Sequence, residues 1–193
     1  MLWLVRPTVV TAASAVRMAS RPRWLREEVR ACGAEFDTRG RRADEQLQIL
    51  RALWAEHPDA VSHHGEFFNF DDAMCYPKPV AGEHLPIHVG SHSPAAARRA
   101  GRLGDGFQPL GVAGAELTAL VAQMRSAAEQ AGRDPDTLEL SLGHLVTRID
   151  AERAAKLADL GADRVVLAMP PVTDIEQARD VVSACAERLA LQP

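Results

Sequence analysis

Cysteine is scarce in this sequence. The three present, Cys32, Cys75 and Cys185, are odd in number, far apart and never spaced as a CxxC pair. That pattern argues against a disulfide framework and against a zinc knuckle, and a reducing cytoplasm is the expected compartment. A positive excess is lacking too: the formal net charge is -4, the pI is about 6.0, and the arginines after Glu27 are spread among acids. Such a surface does not attract nucleic-acid backbones, so no nucleic-acid partner is expected. No stretch reaches the ~20 apolar residues that a membrane-spanning helix needs, so no membrane partner is expected either. Repeats and low-complexity tracts are missing. What remains is ordinary globular composition, 47% hydrophobic and 25% charged over 193 residues, enough for one domain with a real core.

The chain divides at its first acidic residues. The segment "MLWLVRPTVVTAASAVRMASRPR" carries no acid, and its "AASA" resembles the small-residue site of a signal peptide, but Arg6 and Pro7 break the apolar run. Residues 1–23 are therefore expected to be an atypical leader or strand remnant, and residues 24–193 the domain.

Within the domain, "WLREEVRACG" reads as a short helix ended by Gly33, and residues 42–57 as an amphipathic helix with Leu47, Leu50, Leu53 and Trp54 on one side, stopped by Pro58. Residues 58–85 read as a long irregular loop, a length that is uncommon unless functional. Strands are then expected over 86–89, 106–109, 138–147 and 163–170. Helices are expected over 94–103, 115–131 and 151–160, with a last helix capped by Thr173 or Asp174. Strands alternating with helices imply βαβ units, a parallel sheet and an α/β fold.

The stretch "HVGSHSPAAARRAGRLGDG", residues 88–106, holds the candidate site. A strand delivers the chain to Gly90, which is expected to allow a turn that a Cβ would obstruct. Ser91 or Ser93 caps the following helix, and Pro94 occupies its first position, where the missing N–H costs nothing. The helix start leaves free N–H groups and a positive dipole end that favour an anion or an electron-rich ligand edge. By itself this is also a sound strand-to-helix connection and nothing more.

From Trp24 almost to the C-terminus the chain resembles the luciferase-like monooxygenase family, especially its F420 (deazaflavin)-dependent oxidoreductases. The pieces that carry the resemblance are "WLREEVRACGAEFDTRGRRADEQLQILRALW", "HGEFFNFDDAMCYPKPV", "LPIHVGSHSPAAARRAGRLGDGFQPL", "AGRDP" and "GADRVVLAMP". The resemblance implies a (β/α)8 TIM barrel with FMN or coenzyme F420 at the C-terminal ends of the strands, and a redox enzyme whose organic chemistry belongs to the cofactor. It makes Gly90, Ser91, His92 and Ser93 candidate cofactor contacts, with His92 a polar contact to a flavin-like ring, and it implies a small-molecule substrate. No catalytic residue is assigned.

The chain departs from the family pattern twice. Where the family has a Gly-rich strand end of the type Gly-x-Gly-x-Gly-Trp, this chain has "ASRPRW". Arg21 and Arg23 would meet a phosphate by charge, while their bulk prevents close backbone approach. The motifs also begin near the middle of the barrel, so the expected fold is a partial (β/α)8 barrel, roughly its C-terminal half. Such a half exposes two sheet edges and its inner face, and a homo-oligomer or a partner chain is expected to cover them. The alternative function is a half-barrel remnant that binds no cofactor.

Other residues carry weaker expectations. His63, His64, His84, His88 and His92 fall close together, but match no compact ligand spacing, so a metal hydrolase is a distant third reading and no metal is expected. Asp105 and Gly106 either shape a strand end near the pocket or form a plain turn. Trp24, Trp54, Phe67, Phe68 and Phe70 either wall a pocket or belong to the core. "HGEFFNF" is expected to cover the barrel mouth. His144 shares parity with Leu140 and Leu142 on the helix-packed side, and Arg98 and Arg99 read as a solvated helix face.

Overall fold

The computed structural model describes residues 26–55 and 60–191. Helix α1 (Arg26–Ala31) opens with Glu27 and Glu28 at its positive end, and Gly33, at φ +69°, takes the left-handed turn that ends this segment. A 3-10 turn over Phe36–Thr38 runs directly into α2 (Arg39–Trp54). The spacing predicts 42–57 for this helix. It starts earlier because the 3-10 turn feeds it without a polar cap; it buries Leu47 and Trp54 as the apolar periodicity requires, together with Ile49, while Leu50 and Leu53 are only partly buried.

Residues 58–85 are not an irregular loop throughout. They contain an antiparallel hairpin, β1 (Val61–His64) with β2 (Asn69–Ala73), followed by a 3-10 turn at Gly82–His84. Its cause lies in α2. The Glu45 carboxylate accepts the backbone N–H groups of Phe67 (3.0 Å) and Phe68 (2.9 Å) and a His63 ring nitrogen at 2.9 Å. A Cβ on Gly65 would lie 2.6 Å from the Glu45 carboxyl carbon, so glycine makes the approach possible. Burial pulls the Glu45 carboxyl upward, but the hydrogen bonds from His63, Phe68 and Phe67 outweigh it and hold it below the usual carboxylate range. The Glu45 contribution is thus complete above the ordinary carboxylate pKa and is lost as pH falls through the lowered one. We predict that Glu45→Ala loosens the hairpin while leaving the sheet intact; amide exchange at Phe67 and Phe68 should quicken selectively, and unchanged protection there would refute the anchor.

The remaining chain is a parallel βαβ succession: β3 (His88–Gly90), α3 (Pro94–Leu103), β4 (Gly106–Gln108), α4 (Gly114–Gln130), β5 (Glu139–Leu145), α5 (Ala151–Asp159), β6 (Arg164–Ala168) and α6 (Ile175–Arg188). The strand order is β3-β4-β5-β6, with His88 beside Gly106, Gly106 beside Glu139, and Ser141 beside Arg164. Side chains alternate across each strand. Val89, Phe107, Leu140 and Leu142 point to α3 and α4 and bury against Ala96, Ala97, Ala100, Leu117, Leu120, Met124 and Ala128. A smaller core of Val146, Ile149 and Cys185 sits under α6. These four strands with their helices form the C-terminal half of a (β/α)8 barrel.

Caps are local, and the sequence placed most of them. Ser93 rather than Ser91 caps α3, its Oγ accepting Ala96 N–H at 3.2 Å; Asp150 and Asp174 cap α5 and α6 in the same way. Gly90 is the buried final residue of β3, and its φ is not in the left-handed region. The expectation for Arg99 is corrected. The residue is buried rather than solvated, paired with Asp44 and donating to the Gly40 carbonyl at 2.9 Å, which ties α3 to α2. Arg98 is exposed.

Candidate active site at the C-terminal end of the sheet

The turn between β3 and α3 lies where active sites of βα barrels are built. Gly90 ends the strand on the face turned away from the helices. Ser91 is buried and donates its N–H to the Gln108 carbonyl at 3.2 Å, which fixes the turn to the neighbouring strand; its Oγ accepts Ser93 N–H at 3.3 Å. His92 is partly exposed at the turn, and Pro94 starts the helix. The structure thus brings Gly90, Ser91, His92 and Ser93 together, while Arg21 and Arg23 lie outside the described residues.

The inner sheet face near this turn carries two glycines, Gly90 and Gly143, with the part-buried Gln108 directly beside Gly90, and a Cβ on Gly143 would meet nothing within 4 Å. Beside them Leu145 and Val166 stand 45% and 38% exposed, as does Met169 just beyond β6 at 42%. A shallow floor of glycine and apolar groups next to a positive helix end suits the flat ring and the anionic tail of a flavin-type cofactor. His144 pairs with Leu167 on the opposite, helix-facing side, as its parity implies.

At the other end of the strands the inner face carries a polar layer that sequence reasoning missed. His88 is 7% exposed. Its Nδ1 is 3.4 Å from Ser141 Oγ, and its Nε2 is 3.1 Å from a Glu139 oxygen, a close polar contact whose alignment falls outside hydrogen-bond geometry. Arg164 donates to the same Glu139 oxygen at 2.9 Å and to Ser141 Oγ at 3.3 Å. Gly106 makes the room: a Cβ there would sit 2.6 Å from the imidazole and 2.7 Å from the Glu139 carbonyl. Alternation within "ELSLGHL" places Glu139 and Ser141 on one face. Bringing His88 and Arg164 to them needs the cross-strand register, which no local pattern carries.

Burial holds the His88 imidazole below its ordinary 6.5, and Arg164 adds to that; Glu139 and Asp105 pull the other way without reversing it. The folded protein therefore resists a proton that the unfolded chain accepts. Stability from this group is present above the unfolded pKa, about 6.5, and falls as pH drops below it. We predict that urea midpoints decline between pH 7.5 and 5.5, and that His88→Asn flattens this decline. An equally steep decline in the variant would sink the assignment.

Several expected site residues belong elsewhere. Asp105 precedes β4 at the N-terminal end of the strands, across the sheet from the turn, so it does not shape the pocket; it binds Ile87 N–H at 2.7 Å and pairs with Arg51. Trp54 is core, packed with Leu47 and Ile87. Phe67 and Phe68 lie against the Arg42 guanidinium at 4.8 and 5.2 Å, and Phe70 stacks on His63 at 5.8 Å. "HGEFFNF" thus packs on α2 through Glu45. Among the described residues no group of three or more His, Cys, Asp or Glu side chains is placed to hold a metal, and no described helix is long and apolar enough to cross a membrane.

Comparison with known proteins agrees with this geometry. The chain is 36% identical over 107 residues to the F420-dependent glucose-6-phosphate dehydrogenase of Mycolicibacterium gilvum, covering 54% of this chain and 31% of that protein. It is 31% identical over 136 residues to the FMNH2-dependent dimethylsulfone monooxygenase of Pseudomonas putida, covering 69% and 36%. The matched region thus spans about a third of the length of these relatives. Among solved structures, an F420-dependent secondary alcohol dehydrogenase in complex with an F420-acetone adduct superposes with a TM-score of 0.67 at 18% identity, over 84% of this chain and 65% of that one. The F420-dependent tetrahydromethanopterin reductase of Methanopyrus kandleri gives 0.59 at 11% identity, over 81% and 63%. The family model for luciferase-like monooxygenases matches residues 23–187, and the chain belongs to that family.

Proposed function

We propose that this chain is the C-terminal half of a flavin- or deazaflavin-dependent oxidoreductase of the luciferase-like type, working in the cytoplasm on a small-molecule substrate. The observation that carries the reading is the strand–turn–helix at Gly90, Ser91, His92 and Ser93, seated at the C-terminal end of a parallel sheet in a chain of this family. The positive end of α3 suits the cofactor's anionic part, and the Gly90–Gly143 floor suits its ring. His92 is the proposed polar contact, and Arg21 and Arg23 the proposed charge partners of a phosphate. When bound, the cofactor supplies the hydride or oxygen chemistry; the chain binds and orients it.

Four described strands leave the outer edges of β3 and β6 without a neighbour strand among the described residues. We propose that a second copy or a partner chain covers them. That openness also favours a second reading, a half barrel that takes no cofactor. Fluorescence titration with FMN and with coenzyme F420, on a sample whose mass is measured by sedimentation, separates the two. Saturable binding by a dimer or larger assembly supports the oxidoreductase reading. A folded, stable monomer that binds neither cofactor overturns it and leaves the second.

A further inference from the structure

A cleft of about 420 Å³ opens at the N-terminal end of the strands, lined by Arg51, His84, Arg102, Leu103, Asp105 and Arg133. It lies across the sheet from the Gly90–Ser93 turn and takes no part in the function proposed above. Its guanidiniums come from three places: the last turn of α2, the last turn of α3, and the connection between α4 and β5. That volume holds a phosphoryl group with a small organic substituent.

The charge pattern is uneven. Arg102 shares the single Asp44 carboxylate with Arg99, its Nη2 lying 2.9 Å from Oδ2. Arg133 reaches the single Asp105 carboxylate only at 3.8 Å, and that group is already engaged by Arg51 and by the Ile87 N–H. In both places one carboxylate is divided between two guanidiniums. The Arg102 side chain is 49% exposed, so its fork is open to a ligand, and Arg133 is held in place by donating to the Gly101 carbonyl at 2.6 Å. A planar fork presented by a fixed backbone matches the paired oxygens of phosphate better than a lone ammonium does.

We propose that this cleft binds a phosphate-class dianion, a phosphomonoester or pyrophosphate group, gripped by Arg102 and Arg133. Bound there, the anion would link the end of α3 to the connection between α4 and β5, and so act as a stabilising effector remote from the cofactor end. The proposal stands or falls independently of cofactor binding.

Calorimetric titration of the full chain with inorganic phosphate, pyrophosphate and methyl phosphate, with ionic strength held constant by sodium chloride, tests it. Saturable binding is expected, weakened at least about tenfold in Arg102→Gln and less in Arg102→Lys, which keeps the charge but loses the fork. Arg98→Gln, an exposed arginine on the same helix, should bind like the parent chain. A preference for methyl phosphate over pyrophosphate would identify a monoester site, and the reverse a diphosphate site. Heats no greater than those of chloride, or equal losses in Arg98→Gln and Arg102→Gln, would overturn the proposal. If Arg102→Gln does not fold, the Arg102→Lys titration decides, since unaltered affinity there excludes a bidentate site.

Discussion

Gly101→Val should lower the melting temperature by about 5–12 °C. Gly101 lies where α3 crosses α4 among Ala96, Ala97, Ala100, Met124, Ala127 and Ala128, a contact of small residues that lets two backbones approach closely. A Cβ at this position would overlap the Met124 carbonyl oxygen and lie 2.9 Å from the Ala128 nitrogen and 3.0 Å from the Ala127 Cβ. Two of these atoms are backbone, so no side-chain rotation relieves the overlap and the helices must part. Parting them opens the core that also buries Val89, Phe107 and Leu140. Overpacking costs about 1–3 kcal/mol and more where the backbone must move, and each kcal/mol lowers the midpoint by about 2–4 °C in a domain of this size. Gly143→Ala is the contrast: its Cβ meets nothing within 4 Å, and its midpoint should stay within about 2 °C of the parent. Thermal unfolding followed by circular dichroism distinguishes the two, and equal midpoints would show that α3 and α4 yield without cost.

Much of this arrangement was readable in the sequence because its causes are local. Alternating strand and helix patterns, the Ser93–Pro94 helix start and the glycines after α1, α4 and α5 each depend on a few neighbouring residues. They placed the parallel sheet and its C-terminal end within a residue or two. What the sequence hid depends on partners far along the chain. The hairpin at 61–73 was read as irregular because its anchor, Glu45, belongs to another element and looks like any acid on an amphipathic helix. Arg99 looked solvated because its partner Asp44 is 55 residues away. The polar layer of His88, Glu139, Ser141 and Arg164 needs a register across all four strands of the parallel sheet, and no single segment contains it. The strand-to-helix turn at Gly90–Ser93 was legible from its own residues, and the family resemblance gave it a functional meaning; that Gly90 lies on the inner face with an ordinary strand conformation needed the sheet.

The two ends of the sheet differ in the kind of group they carry. The C-terminal end carries small residues, a helix start and exposed apolar groups, and its turn is tied to the neighbouring strand by a backbone bond from Ser91 N–H to the Gln108 carbonyl. The N-terminal end is fastened by long-range polar contacts from Arg51, Asp105, Arg133 and Arg164. In barrels of this class the first end hosts chemistry and the second supports stability. The binding cleft inferred above occupies the second end, where an anion would reinforce contacts that already exist.

Asp105→Ala is expected to destabilise the domain by about 2–4 kcal/mol, because Asp105 joins three strands at that supporting end. Its backbone N–H donates to the Ile87 carbonyl at 2.8 Å and its carbonyl accepts Glu139 N–H at 2.9 Å; its carboxylate accepts Ile87 N–H at 2.7 Å and pairs with Arg51. Ile87 is 1% exposed, so alanine leaves its N–H without its acceptor at a cost of about 1–3 kcal/mol. The half-exposed contacts to Arg51 and Arg133 add no more than about 1 kcal/mol each. Asp105→Asn separates the two parts, since its amide oxygen still accepts from Ile87 while the charge is gone, and it should recover more than half of the loss. Urea unfolding of both variants provides the measurement. If alanine and asparagine cost the same, the ion pairs dominate; if neither costs anything, Asp105 is the plain turn residue that an Asp-Gly pair suggests.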